Sequence, residues 1–488
     1  MDIRFSGSRS GTAPLTWGQR AIWDTIQKTA PDDHYFNFGR VLKVPRRARP
    51  LTVERAVEAL GALVERHESL RTRLGAGPSQ VLETSGAIAV TLSAGDPDRL
   101  LDTLTEKAFD YAGEWPLRVG LVVADETSGG TAGEAPGGTA ERPSGGLAGG
   151  PTGGTVERTT GGTAERPVGG TAGSPLGGTV THIVLVFCHL AADGLGAEAA
   201  ITDLRLLLLR GAVPGPPPPS PLDLARWQRS DQGLRVARVA AEHWESEYRR
   251  IPPTMFDRPV AAPEGPPVWR AQIVSRALDL AVQRIAAVHG VSTSTVLLAA
   301  SSMLVGAVTG HDVCAMLPIV GNRFRADTAN AVTTLSQEGL FVLDLRGGTT
   351  FADLLRVAKP AALRAYRSAY HDPDDRDRLT ARIGRERGAE IHPYCCFNDM
   401  RFIDLVDASH DERTVRQAME ETVLTWPLSQ DRLNCRFCLH VTGEPGGLGV
   451  SLTADTRFLP RPAMERYLYD LESLLVEAAF REVLEPVG

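Results

Sequence analysis

The stretch Phe187-Cys188-His189-Leu190-Ala191-Ala192-Asp193-Gly194 decides how this chain is read. Before it lies an unbroken apolar run, Ile183-Val184-Leu185-Val186-Phe187, the pattern of a buried strand. After it come Gly196, Ala197, Ala199, Ala200 and Ile201, which suit the start of a helix. His189 and Asp193 therefore fall where a core strand breaks into a turn. The glycines at 194 and 196 permit close approach of another chain or a ligand. An imidazole at such a break can act as a general base near neutral pH, or be a strand-end histidine satisfied by its surroundings. The His-x-x-x-Asp spacing does not choose between them. It recurs as His371 to Asp375, in a polar, Pro-containing segment that reads as a solvated loop.

Moving outward, residues 117–124 form a second apolar strand, and the segment between the two strands changes character. Gly137-Gly138-Thr139-Ala140-Glu141-Arg142-Pro143 recurs as residues 161–167, with related Gly-Gly-Thr units between. Such a composition cannot bury enough apolar surface to offset its chain entropy, so a disordered insertion at about 127–179, an overgrown hairpin loop, is expected. Upstream, Thr16 can cap a helix carrying Ile22, Trp23 and Ile26, and residues 36–44 read as a strand. Residues 52–68 form an amphipathic helix through Val53, Ala56, Val57, Leu60, Leu63 and Val64. The run 66–74 that follows reads as a solvated helix end leading into a strand. Downstream, a helix over 197–209 gives way to Pro214-Gly215-Pro216-Pro217-Pro218-Pro219, a stiff linker. We expect a lobe boundary there, with one lobe over 1–215 and the other over 216–488. In the second half, helices over 222–250, 278–289, 293–308, 351–368 and 462–479 alternate with strands over 313–320, 339–345, 394–397, 436–442 and 449–453. The mixture predicts an α/β or α+β fold.

A chain of 488 residues can build two lobes, each with its own core. Net charge is −7 and no long basic run occurs, which gives no footprint for nucleic acid. The N-terminal residues lack an apolar signal core, and the most apolar helix, 296–308, is interrupted by Ser301 and Ser302. No membrane association is expected. The cysteines are 188, 314, 395, 396, 435 and 438; Cys435-x-x-Cys438 does not pair with Cys395 and Cys396 in a short zinc-ribbon pattern. No metal site is expected, and the cysteines read as buried free thiols in a reducing cytoplasm.

Several stretches together resemble a free-standing condensation domain of the non-ribosomal peptide synthetases. Residues 15–23 are similar to that family's opening element, with Thr16, Gly18, Gln19, Arg20 and Trp23 in place. Residues 66–74 resemble its Arg-His-Glu-x-Leu-Arg-Thr-x-Phe element, ending in Leu74 rather than Phe. Residues 188–194 resemble its His-His-x-x-x-Asp-Gly core, residues 222–227 its Tyr-x-Asp-Phe-Ala-x-Trp element, and Gly321-Asn322-Arg323 followed by Gly339-Leu340-Phe341-Val342 loosely its Gly-x-x-x-Asn element. The resemblance covers nearly the whole chain apart from the Gly-Gly-Thr insertion.

It implies two chloramphenicol-acetyltransferase-like lobes forming a pseudo-dimer with a tunnel between them, and a cytoplasmic, monomeric enzyme. The implied reaction joins an acyl or aminoacyl thioester on one carrier protein to an amine, or a hydroxyl, presented by another. No covalently bound cofactor is implied, because the substrates ride on the phosphopantetheine of peptidyl or acyl carrier proteins. His189 takes the place of the histidine tied to chemistry. Asp193 holds the turn and pairs with an arginine of the second lobe, for which Arg323 is the candidate. Gly194 leaves room for the pantetheine arm and offers its N–H to an oxyanion. The first motif histidine is Cys188 here, a small side chain that can fill much of the same space. Strand alternation sends Cys188 and His189 to opposite faces, which disfavours a Cys–His dyad. Two further readings stay open: an inactive condensation-like domain that recruits a partner to a carrier protein, and a coenzyme A-dependent acyltransferase. The second of these lacks its usual Asp-Phe-Gly-Trp-Gly element in this chain.

Overall fold

The apolar runs pair into separate sheets in the two halves of the chain. The structure is a computed structural model; it describes all residues except 46–49, 125–177, 263–264, 347–349, 402–405, 432–435 and 482–488. The first half runs β1 (Asp2–Ser6), β2 (Gly11–Pro14), α1 (Trp17–Thr29), β3 (Phe38–Lys43), α2 (Val53–Arg66), β4 (Thr72–Leu74), β5 (Ser79–Leu82), β6 (Ser85–Ser93), α3 (Pro97–Thr105), β7 (Leu117–Val123), β8 (Val180–Phe187) and α4 (Gly194–Arg210). β1, β6, β7, β8 and β3 form one sheet in that order, and β2, β5 and β4 a smaller one. Leu185 of β8 lies opposite Val119 on one side and Arg40 on the other, so β8 is paired along both edges. Both its faces are covered as well. Ile183, Leu185 and Phe187 pack on Leu60, Leu63 and Leu204, while Val184 and Val186 pack on Ile26 and Leu100. A strand enclosed on all sides must be apolar without alternation, which is the pattern of 183–187.

The second half runs α5 (Pro221–Gln228), α6 (Asp231–Arg250), β9 (Val268–Ser275), α7 (Arg276–His289), α8 (Thr293–Thr309), β10 (Val313–Val320), β11 (Gln337–Glu338), β12 (Phe341–Asp344), α9 (Phe351–Arg367), α10 (Pro373–Arg387), β13 (Cys395–Asp399), α11 (Glu412–Ala418), β14 (Val423–Gln430), β15 (Phe437–Glu444), β16 (Gly447–Asp455) and α12 (Arg461–Arg481). Its sheet has the order β11-β10-β13-β15-β16-β9-β14, with β12 also paired to β10. Phe397, Leu439, Leu452 and Ile273 point to one face and pack on α7, α8, α9 and α12. Alternation sends Cys396, Asn398, Cys438 and His440 to the opposite face. The fold is mixed α/β with two lobes, and the two large sheets lie on either side of residue 215.

Four local expectations are corrected. The run 66–74 is no solvated helix end: His67 and Arg71 are 2% and 1% exposed. His67 Nε2 lies 2.9 Å from Asp203 Oδ2, and Arg71 Nη2 donates to Glu68 Oε1 (2.9 Å), so buried partners replace water. His371 is likewise buried rather than in a solvated loop; its ring packs on Trp244, and Asp372 caps α10. Residues 222–250 form two helices because the Ser230 hydroxyl accepts from Gly233 N and starts α6 afresh. Cys188, Cys314, Cys395 and Cys396 are free, but Cys438 is disulfide-bonded, contrary to expectation; Cys435 lies outside the described residues. Among the described residues no single helix is long and apolar enough to cross a membrane.

The expected insertion at 127–179 lies almost wholly outside the described residues. The strands it joins, β7 and β8, are antiparallel neighbours. Loop closure costs only about 0.6 kcal/mol per doubling of length, so the fold needs a connection there but not a long one. Replacing residues 129–177 by a four-residue Gly/Ser turn is therefore expected to keep the melting temperature or raise it by a few degrees. Differential scanning calorimetry measures this; a fall of more than about 5 °C would mean the segment packs on the body.

Candidate active site

His189 sits two residues beyond the end of β8, and Asp193 is the N-cap of α4. The turn between them is tight: Ala191 N donates to Cys188 O (2.9 Å) and Cys188 N to Pro116 O (3.0 Å). Gln19 of α1 donates through Nε2 to Leu190 O (3.3 Å), and the Thr334 hydroxyl donates to His189 O. The turn is thus clamped from both lobes. The half-buried His189 ring meets Phe38 edge-on at 5.2 Å between centroids. Its buried Nδ1 makes no well-formed hydrogen bond among the described residues, though its own backbone carbonyl is near, which leaves Nε2 for the open side. Burial pushes the His189 pKa below the usual imidazole value; its own carbonyl and the Asp193 charge offset only part of this. The ring is held in its neutral, proton-accepting form.

Asp193 is 1% exposed, and both its oxygens are fully engaged. Oδ1 accepts from Gly196 N (2.8 Å) and Arg323 Nη2 (2.6 Å). Oδ2 accepts from Arg323 Nη1 (2.9 Å), Leu335 N (3.0 Å), Ser336 N (2.9 Å) and Ser336 Oγ (2.8 Å). Burial alone would raise this carboxyl; the Arg323 guanidinium and the N–H donors overcome it and hold the pKa below the usual range. Arg323 also donates to the carbonyls of Gly321, Ala331 and Thr333. The segment that carries these groups reaches across, and Val332 joins the core of the first lobe. Close approach depends on Gly18: a Cβ there would lie 2.3 Å from Thr334 O.

Between the lobes lies a cavity of about 620 Å³. His189, Asp193, Gly194, Phe38 and Tyr35 line it from the first lobe, and Thr334, Ser336, Glu338, His392 and Asn398 from the second. Gly194 opens α4, whose first N–H groups have no partner within the helix. Cys188 points away from this cavity into the cluster of Val184, Val186, Leu190 and Ile26, where burial raises its thiol pKa to about 12. A thiol so buried and on the other face from His189 is no nucleophile for the cavity. Among the described residues no three His, Cys, Asp or Glu side chains converge as a metal site requires.

The structure therefore brings His189, Asp193, Gly194 and Arg323 together and sets Cys188 behind them. Sequence reading assigned no role to Thr334, Ser336, Phe38 or Asp203. Thr334 and Ser336 act across the lobe boundary, which no local pattern records. Asp203 lies on α4 and binds Arg66 Nε (2.9 Å) as well as His67, tying the 66–74 stretch to the helix that follows the turn.

No family model matches the chain. The nonribosomal peptide synthetase acrB of Aspergillus aculeatus is 31% identical over 195 residues, covering 36% of this chain and 12% of that synthetase. The chain thus corresponds to a small part of that relative's length. The condensation domain that mediates chain release from the enacyloxin polyketide synthase superposes with a TM-score of 0.63 at 15% identity, over 98% of this chain and 84% of that one. The X-domain solved in complex with OxyB from teicoplanin biosynthesis superposes with a TM-score of 0.63 at 14% identity, over 97% and 94%. The chain has the two-lobed fold of condensation domains.

Removing one partner of a buried ion pair strands the other charge. Arg323→Met is expected to cost about 3–5 kcal/mol of stability. Urea unfolding followed by tryptophan fluorescence measures it. A loss below about 1 kcal/mol, the size expected of a surface pair, would deny Asp193–Arg323 its role in joining the lobes.

Proposed function

We propose that this protein is a condensation enzyme that joins a carrier-tethered acyl or aminoacyl thioester to an acceptor amine or hydroxyl, with His189 as the base. The observation that carries this reading is a neutral imidazole, clamped by both lobes, on the wall of a cavity between them. The condensation-domain fold supports it. In the reaction the acceptor nitrogen attacks the thioester carbonyl carbon and His189 Nε2 takes its proton. The tetrahedral intermediate collapses, the C–S bond breaks, and the thiolate leaves with the proton returned to it. Such general-base help is worth about 10²–10⁴ in rate. The first N–H groups of α4, at Gly194, suit the developing oxyanion, since a helix N-terminus favours negative charge. Asp193 takes no part in proton transfer, because both its oxygens are already spoken for. Walls from two lobes suit a reaction between two tethered substrates, where much of the gain is positioning. Peptidyl or acyl carrier proteins are the proposed partners.

A second reading, recruitment of a protein without chemistry, draws on the X-domain in complex with OxyB, which shares the fold. The two separate in one experiment. His189→Ala is expected to lower product formation from loaded carrier proteins at least a hundredfold while leaving the melting temperature unchanged. Intact-protein mass spectrometry follows the transfer. Equal rates for parent and variant would remove the base assignment, and no transfer by the parent would favour recruitment. The pH dependence provides a further check. A pKa depressed by burial keeps the base form populated below pH 6.5, the unperturbed imidazole value. The rate should hold level from neutrality down past pH 6.5 and fall only as pH drops through the lowered pKa. An acid limb centred above 6.5 would contradict the assignment.

A further inference from the structure

The second lobe's wall of the cavity carries a pair of polar side chains that the chemistry at His189 does not use. Asn398 of β13 and His440 of β15 are direct partners across parallel strands. Adjacent strands lie about 4.8 Å apart, so the two side chains stand side by side. Both line the cavity, on the face opposite the apolar core. His440 is 8% exposed, and its Nδ1 is buried with no hydrogen-bond partner among the described residues. Among the described residues no protein group bonds the half-buried Asn398 carboxamide. A buried polar atom left unpaired is costly, and folded proteins seldom leave one so unless something fills it. Nearby, Arg270 is occupied: Nε donates to Thr453 Oγ1 (2.8 Å) and Nη2 to Tyr35 OH (3.2 Å) of the first lobe. Burial first, and the Arg270 charge second, hold His440 neutral, with a pKa of about 3. The pair thus offers a carboxamide, with two N–H donors and an acceptor oxygen, and an uncharged imidazole, with one donor and one acceptor.

We propose that Asn398 and His440 form a recognition subsite that selects a substrate carrying an uncharged hydrogen-bonding group, a hydroxyl or a carboxamide, over its apolar isostere. This rests on the reading of the cavity as the substrate site, but not on His189 being the base. A site built to hydrogen-bond such a group rejects the analogue lacking it, because its own buried polar atoms are then left unpaired. An ionised group gains less, since neither side chain supplies a charge.

Binding is tested apart from turnover by working in the His189→Ala background. The probes are aminoacyl-pantetheines with the thioester sulfur replaced by N–H, in two isosteric pairs: threonyl against valyl, and asparaginyl against leucyl. Isothermal titration calorimetry is expected to show one polar probe binding about tenfold more tightly than its isostere, the worth of one hydrogen bond to a buried partner. Preference for threonyl would identify the hydroxyl, and preference for asparaginyl the carboxamide. In His440→Leu with Asn398→Leu the preference should fall to within about threefold of unity. The same double variant should melt no lower than its parent, because it removes one buried unpaired ring nitrogen and a half-buried carboxamide rather than a structural bond. Equal affinity within both pairs, a preference that survives the double variant, or an equal loss of affinity for unacylated pantetheine would each overturn the proposal. So would a clear drop in melting temperature, which would make the two side chains structural.

Discussion

A single buried carboxylate governs the arrangement. Asp193 would be costly to bury alone, and the chain meets that cost by bringing a guanidinium, backbone N–H groups and a hydroxyl from the other lobe to its two oxygens. These donors occupy fixed positions, so satisfying the charge also sets how the lobes meet. The same residue caps α4 through Gly196 N and thereby stops the helix from running back into the turn. His189, four residues earlier, inherits its place from that constraint.

Strand alternation then divides the roles. At the end of β8 one side chain must face the cavity and the next the interior. His189 and Cys188 accept those positions in that order. Cys188 is therefore the one that packs, and His189 is the one that meets the cavity. In the second lobe the same alternation puts Phe397 and Leu439 under helices and leaves Asn398 and His440 facing the hollow. A sheet with one covered face can carry polar groups on the other, where solvent or a ligand meets them.

Much of this was legible in one sequence. Thr16 and Thr52 cap helices where hydroxyl residues precede apolar periodicity, and local backbone chemistry suffices to explain them. The strand β8 announces itself as an apolar run because enclosure on every side leaves no place for a polar residue. The second His-x-x-x-Asp was misread for a related reason. His371 is buried by Trp244 from a distant helix, and its polar sequence neighbours gave no sign of that. Likewise the Arg-His-Glu run looks like solvent-facing charge until Asp203 and the backbone around Arg71 enclose it.

By itself the sequence determined the mixed α/β character, the break between β8 and α4, and the presence there of an imidazole and a carboxylate. Those follow from periodicity and capping, which act over a few residues. Only the tertiary structure decided which arginine reaches Asp193, that Thr334 and Ser336 close on the same turn, and that a hollow with a second polar pair lies opposite His189. These depend on groups more than a hundred residues apart meeting across two lobes. Such meetings are set by burial and charge compensation over the whole molecule, and no short stretch encodes them.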